Sequence, residues 1–452
     1  MLNLTPETTR LSSAAGSAPP PHRPGKFNIF QRLVRQWESL HPYNGLQVLK
    51  IRGRADLAAC NKAWHAALES LGLGTVWVSD DSYFYRQLNG EAAYHGVAAC
   101  PEGTKLEAWI ANEMNRRYDP SGSVPFRPFV IQESGHFWMG LGYQHWVADS
   151  ASIRMLIHEW FARQFDPGAA RGGRLRLSAG GYWSLFGPHR EGWRTGDALL
   201  SSMRWHSRFR RARRIEDPHQ FQDLSQRFTL LSTPDGLIDD LRAAAKKMGV
   251  TVNDVFLAAI ALTCHRFVPA PQRFRRRELA IGTIVDLRPG ARQPLGDVFD
   301  LLLGFTSVWC RTKDLGDWST LVQSVGRQTH QHKRNALPLT SCLRTGAGVM
   351  MGKCLSPRSL LEFYRKRVAL AGAGSNVNLN RCWPGKYAGD PLLEYLRVAP
   401  TGPMTPLVFA TSTLGSRLTV GLTYRPAIIP LQNAALLGED FVARLTEAAR
   451  FQ

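Results

Sequence analysis

A chain of 452 residues, 44% hydrophobic and 20% charged, can bury a large core in about two or three lobes and is too apolar for a disordered protein. No apolar run approaches the roughly 20 residues that span a bilayer. Seven scattered cysteines, odd in number and without a Cys-x-x-Cys pair, argue against a disulfide framework or a zinc site and for reduced thiols in a cytoplasmic setting. The net charge of +20 favours anionic partners, but no zinc-finger spacing, basic zipper or RNA-recognition signature is present, so no specific nucleic acid is expected.

Residues 1–26 are rich in Ser, Ala, Thr and Pro, lack the apolar centre of a secretory signal, and are expected as a flexible tail. Periodicity predicts a helix over 27–36, an alternating strand over 45–51 and a helix over 56–70 that stops before Gly72. Residues 127–132 and 137–141 read as strands. After Asp149 the period changes. Ile153, Leu156, Ile157, Trp160, Phe161 and Phe165 recur at three- and four-residue steps, marking an amphipathic helix capped by Asp149 or Ser150. Residues 27–170 are thus expected as an N-terminal lobe. Gly, Arg and Trp dominate 171–226, a basic connector in which the lobe boundary is placed. Residues 227–452 are expected as a C-terminal lobe. Its helices fall at 235–248, 251–267, 318–335, 358–370 and 431–451, the second opened by the capping-box-like Thr251-Val252-Asn253-Asp254. Its strands fall at 280–285, 301–309, 407–411 and 417–424, the last two joined by a turn at Leu414-Gly415-Ser416. Residues 375–380 alternate polar and apolar.

His145 sits where a strand ends, and Asp149 where the next helix begins. Such a junction holds a side chain on a rigid scaffold at a short loop. The run Gln144-His145-Trp146-Val147-Ala148-Asp149-Ser150 resembles the His-His-x-x-x-Asp-Gly signature of the condensation-domain superfamily, acyltransferases with a chloramphenicol-acetyltransferase-like fold. Gln144 stands at the first His and Ser150 at the Gly. The order of elements is similar too: a helix carrying Gln31, the turn Pro42-Tyr43-Asn44, a strand, Gly53, a helix, the strand opening at Arg127, and the Thr-Val-Asn-Asp helix start. The resemblance runs from Phe27 to the C-terminal helix. It implies an α/β (α+β) fold of two lobes, each a mixed sheet with helices, with an active-site tunnel between them. It also implies a free-standing member without an adenylation or carrier segment.

The chemistry implied is acyl transfer from a thioester, either acyl-coenzyme A or a phosphopantetheinyl carrier, to a hydroxyl or amine of a small-molecule acceptor. No bound cofactor is expected. A neutral imidazole takes the acceptor's proton as it attacks the carbonyl, and the resemblance gives that role to His145. No Gly-x-Ser-x-Gly elbow is present, so direct attack is favoured over an acyl-enzyme. The resemblance makes Asp149 structural, paired with an arginine of the other lobe, for which Arg288 in Asp286-Leu287-Arg288-Pro289 is the best match. Gln144 keeps one supportive hydrogen bond but is no base. Trp146 with neighbouring backbone N–H groups, Ser375, Asn376 and Asn378 are candidates for oxyanion or tunnel contacts, although ordinary strand-edge polarity is the favoured account of the Asn run.

No metal site is expected: His330 and His332 lie two apart and leave a helix on different faces. Arginines cluster at 204–214, at 273–277 and at Arg171, Arg174 and Arg176. They would suit the acidic helix of a carrier protein, coenzyme A phosphates, or peripheral contact with an anionic membrane. Two alternatives to an acyltransferase stay open: a catalytically silent condensation-like recruitment module, and a basic membrane-surface or nucleic-acid binder.

Overall fold

The computed structural model describes residues 24–86, 96–119, 124–178, 180–187, 205, 207–209, 212–215, 223–268, 278–368, 370–383 and 391–450. In chain order the first half contains β1 (Gly25–Lys26), α1 (Ile29–Leu40), β2 (Asn44–Arg52), α2 (Leu57–Leu71), β3 (Thr75–Val78), β4 (Ser82–Arg86), β5 (Ala98–Ala99), α3 (Leu106–Asn115), β6 (Phe126–Glu133), β7 (His136–Gln144), α4 (Ser150–Phe165) and α5 (Tyr182–Phe186). The second contains β8 (Arg227–Leu231), α6 (Leu237–Lys247), α7 (Val252–Phe267), β9 (Glu278–Asp286), β10 (Leu303–Arg311), α8 (Trp318–Arg334), α9 (Leu337–Lys353), α10 (Pro357–Arg367), β11 (Gly372–Asn378), β12 (Leu392–Val398), β13 (Leu407–Leu414), β14 (Arg417–Tyr424) and α11 (Leu431–Ala449).

Two sheets define two lobes. The N-terminal lobe is a five-stranded sheet in the order β12-β2-β7-β6-β5, antiparallel except for the parallel β5–β6 pair. The C-terminal lobe is a six-stranded sheet, β10-β9-β11-β13-β14-β8, in which β11 runs parallel to both neighbours. Both sheets are therefore mixed, as an α/β fold of two such lobes requires. A small third sheet, β1-β4-β3, flanks the N-terminal end.

Local chemistry fixes the helix starts. Asn28 and Gln31 form a reciprocal capping box on α1, and Thr251 and Asp254 form one on α7. Tertiary burial does the rest. Leu156, Ile157, Trp160 and Phe161 of α4 are fully buried, and the Trp160 ring meets Trp64 of α2 at 5.1 Å. In the other lobe α7 packs among α6, α8 and α11 with Val255, Leu257, Ala258, Ile260 and Ala261 inside.

Periodicity does not announce two elements, and one of them bears on the site. The first is β12. The chain leaves β11 in the six-stranded sheet, contributes β12 as an edge strand to the five-stranded sheet against β2, and returns to β13 beside β11. This crossing strand ties the lobes together. The second is α9, which carries Pro338, Gly346, Gly348 and Gly352, all poor helix formers. It persists because it packs on α1 and β10, where a Cβ on Gly352 would meet the Gln36 amide at 2.0 Å.

Candidate active site

β7 ends at Gln144, and five residues later Asp149 caps α4. The turn is held by Val147 N–H donating to the Gln144 carbonyl (3.2 Å) and His145 N–H donating to the Tyr43 carbonyl (3.2 Å). The His145 ring lies between two tyrosines, Tyr43 and Tyr143, with both ring centroids 5.4 Å away. Gly45, opposite Tyr143 on β2, makes this possible: a Cβ there would come within 2.6 Å of the Tyr143 oxygen. His145 is half-buried, its Nδ1 has no hydrogen-bond partner, and no bond among the described residues engages its other nitrogen. Burial, helped by the Arg397 charge, holds the imidazole below the ordinary histidine value, against the pull of its own backbone carbonyl and of Asp149. A neutral, unengaged imidazole on a rigid strand end can accept a proton.

Asp149 is fully used elsewhere. One oxygen accepts from Ala151 N–H (3.0 Å) and Ser152 N–H (2.9 Å); the other accepts from Arg288 Nη1 (2.6 Å) and Leu302 N–H (2.8 Å). Burial alone would raise its pKa, but the Arg288 guanidinium and the backbone donors outweigh it and hold the carboxyl below the usual range. Arg288 Nη2 also donates to Ser152 Oγ (2.8 Å) and to the Asp300 carbonyl (3.2 Å). The cluster thus stitches the start of α4 to the segment leading into β10.

Asp300 lies below this cluster and is fully buried. One oxygen accepts from Leu301 N–H (2.7 Å) and Asn28 Nδ2 (3.3 Å), while the other has no partner. Burial pushes this carboxyl up to about 7, and the Asp149 charge adds to the push. An unfolded aspartate titrates near 3.9, so between these values the folded state binds a proton that the unfolded state does not. Stability therefore falls as pH rises from about 4 to about 7. We expect Asp300→Asn to flatten that slope and to raise stability at pH 8 by roughly 1–3 kcal/mol. Urea unfolding of both proteins at pH 5 and pH 8 checks this; an equal loss of stability at the two pH values refutes it.

Gln144 is buried and its side chain faces Glu38 on α1, whose carboxyl burial raises to about 7. Ser150 accepts through Oγ from Gln47 Nε2 (3.0 Å) and Arg397 Nε (2.9 Å). Ser375 Oγ accepts from Arg397 Nη2 (2.8 Å). Arg397, on the crossing strand β12, therefore joins two of the residues named from sequence. It went unnoticed because β12 was not read as a strand; an arginine inside the apolar run Leu392–Val398 is the signal that would have found it.

The other candidates are placed differently. The Trp146 indole packs in the core against Phe27 (5.5 Å) and Tyr83 (5.7 Å), and its carbonyl accepts from Gln31 Nε2. Asn376 accepts from Thr411 Oγ1 (2.9 Å), and Asn378 caps the short turn Leu379–Arg381. Strand geometry explains the split, since successive side chains of β11 leave on opposite faces and Asn376 cannot share the Ser375 face.

Several connector arginines are tied inside the protein. Arg208 pairs with Glu278 (2.8 Å) over the Trp309 ring, Arg176 binds Asp297 through two bonds (2.5 and 2.6 Å), and Arg214 donates to the Arg365 and Lys366 carbonyls. Arg204, Arg210, Arg211, residues 273–277 and most of the expected tail lie outside the described residues. Among the described residues no three His, Cys, Asp or Glu side chains gather as a metal site, and no single helix is long and apolar enough to cross a membrane. A surface hollow of about 560 Å³ lies in the C-terminal lobe, lined by His265, Trp318 and Arg444; none of the candidate residues borders it.

No family model and no curated protein matches this chain by sequence. Solved structures do match by fold. Trichothecene 15-O-acetyltransferase from Fusarium sporotrichioides superposes with a TM-score of 0.69 at 13% identity, over 96% of this chain and 100% of that one. The condensation domain of the monacolin K polyketide synthase gives 0.64 at 11% identity, over 94% and 97%. Polyketide synthase associated protein 5 from Mycobacterium tuberculosis gives 0.60 at 16%, over 96% and 99%. The chain shares the fold of these proteins, a condensation-domain-like fold, along nearly its whole length.

Proposed function

We propose that this protein is an acyltransferase that moves an acyl group from a thioester, on coenzyme A or a carrier protein, to a hydroxyl or amine, with His145 as general base. The observation that carries the reading is the His145 imidazole: neutral, half-buried, without a hydrogen bond to any other described residue, and set between Tyr43 and Tyr143 at the end of β7. The acceptor's O–H or N–H proton passes to the imidazole as its heteroatom bonds to the thioester carbon. Collapse of the tetrahedral intermediate breaks the C–S bond, and the proton returns to the leaving thiolate. Asp149 contributes by holding the strand-to-helix turn through Arg288, not by touching the reacting atoms. The fold it shares with a trichothecene acetyltransferase and with synthase condensation domains supports this chemistry. The exposed arginines suit an acidic carrier, an attraction that weakens with salt.

The test is release of free thiol from a panel of acyl-coenzyme A and acyl-carrier thioesters, with cell metabolite extract as acceptor, for the wild type and His145→Ala side by side. Release that needs His145 supports the reading. A folded wild type that releases no thiol from any donor favours a recruitment module instead.

A further inference from the structure

Arg397 is a buried cation with no counter-ion among the described residues. It is 7% exposed, and no carboxylate among the described residues lies within ion-pairing distance. Two other buried charges of the N-terminal half each have a partner of opposite sign: Asp149 has Arg288, and Glu113 has Arg116 and Arg127. A buried charge without one is costly, so a fold that keeps it has a use for it.

The bonds Arg397 does make are unequal. Nε and Nη2 are held firmly by Ser150 Oγ and Ser375 Oγ at 2.9 and 2.8 Å. Nη1 reaches only two carbonyls, of Ser375 and Thr411, at 3.5 and 3.4 Å. Two neutral hydroxyls thus fix the guanidinium plane while one edge stays weakly engaged. Ser150 stands where the resembled signature has Gly, and a glycine would offer no oxygen to Arg397.

A second cation lies alongside. Arg154 is one turn along α4 from Ser150, on the same face, and near enough for its charge to bear on both Arg397 and Tyr395. It has no hydrogen bond or ion pair among the described residues. Arg397 is near enough for its charge to bear on His145, and Arg154 stands behind it.

We propose that Arg397, assisted by Arg154, binds a carboxylate carried by the reacting end of one substrate: the acceptor, or the far end of the acyl group. This rests on the acyl-transfer reading. The phosphates of coenzyme A are not the ligand, because the whole pantetheine arm separates them from the thioester, whereas Arg397 adjoins His145. A planar guanidinium edge matches a carboxylate with two parallel N–H donors, which a lysine does not.

Binding is tested first, without turnover. Thermal shifts at fixed ionic strength compare benzoate, phenylacetate and succinate with benzamide, phenylacetamide and succinamide. The carboxylates should protect wild type and His145→Ala while the amides do not, and the protection should vanish in Arg397→Gln and shrink in Arg397→Lys and Arg154→Gln. Protection equal for acids and amides, or the same in wild type and Arg397→Gln, overturns the proposal, as does none from any carboxylate. If Arg397→Gln does not fold, Arg397→Lys and Arg154→Gln carry the comparison.

Turnover then separates the sources. One arm compares succinyl- and glutaryl-coenzyme A with butyryl- and valeryl-coenzyme A; the other compares amino acids with their carboxamides as acceptors. The acid should be preferred at least tenfold in kcat/KM in one arm, and the preference should fall below about twofold in Arg397→Gln. Turnover without acid preference in either arm leaves acyl transfer standing and removes this site. Arg397-dependent carboxylate binding without turnover does the reverse.

Discussion

His145→Ala should lower thioester turnover by about 10²- to 10⁴-fold while leaving the melting temperature within a few degrees of wild type. The size follows from the role: a positioned base removes the acceptor's proton in the transition state, and alanine offers nothing in its place. The small effect on folding follows from the surroundings. The ring makes no hydrogen bond within the described protein, so its removal orphans no buried polar group. The pH profile gives a second readout. Burial and Arg397 hold the imidazole below its ordinary value, so kcat/KM should rise with an acid-limb midpoint below 6.5 and be flat through neutrality. A midpoint above 6.5, or turnover undiminished in His145→Ala, removes His145 from the reaction.

Much of this site was legible because its signals are local. A strand that stops, a histidine, and a capping aspartate four residues on can be read from a run of seven residues, and the Thr251 cap works in the same way. What stayed hidden depends on residues far apart in sequence. β12 is short and ambiguous alone; it becomes a strand because β2 supplies a pairing edge, and only then does Arg397 meet Ser150 and Ser375. The helix α9 defeats propensity for the same reason, since its glycines are contact points for Gln36 and Ile29 rather than breaks. Trp146 adjoins His145 in sequence, while contacts far along the chain seat its ring in the core with Phe27 and Tyr83.

Asp149→Asn should cost about 3–5 kcal/mol of stability, more than most single substitutions, and Arg288→Ala should cost a similar amount. An asparagine keeps the cap on α4 through its amide oxygen but presents no charge to Arg288. That arginine, with only 11% of its side chain exposed, would then retain, among the described residues, Asp286 at 3.3 Å as its one ion-pair partner, beside neutral acceptors on Ser152 and Asp300. The opposing view makes Asp149 the orienting member of a catalytic triad with His145. It predicts a different signature: turnover falling by orders of magnitude with an unchanged melting curve. The geometry disfavours it, since all four bonds of the Asp149 carboxylate go to Ala151, Ser152, Leu302 and Arg288. A double-mutant cycle decides between them. If the pair is structural, Asp149→Asn with Arg288→Ala together should cost well under the sum of the single losses, because removing the second partner also removes the uncompensated charge. Additive losses in melting, joined to a turnover defect confined to Asp149→Asn, would return the aspartate to the chemistry.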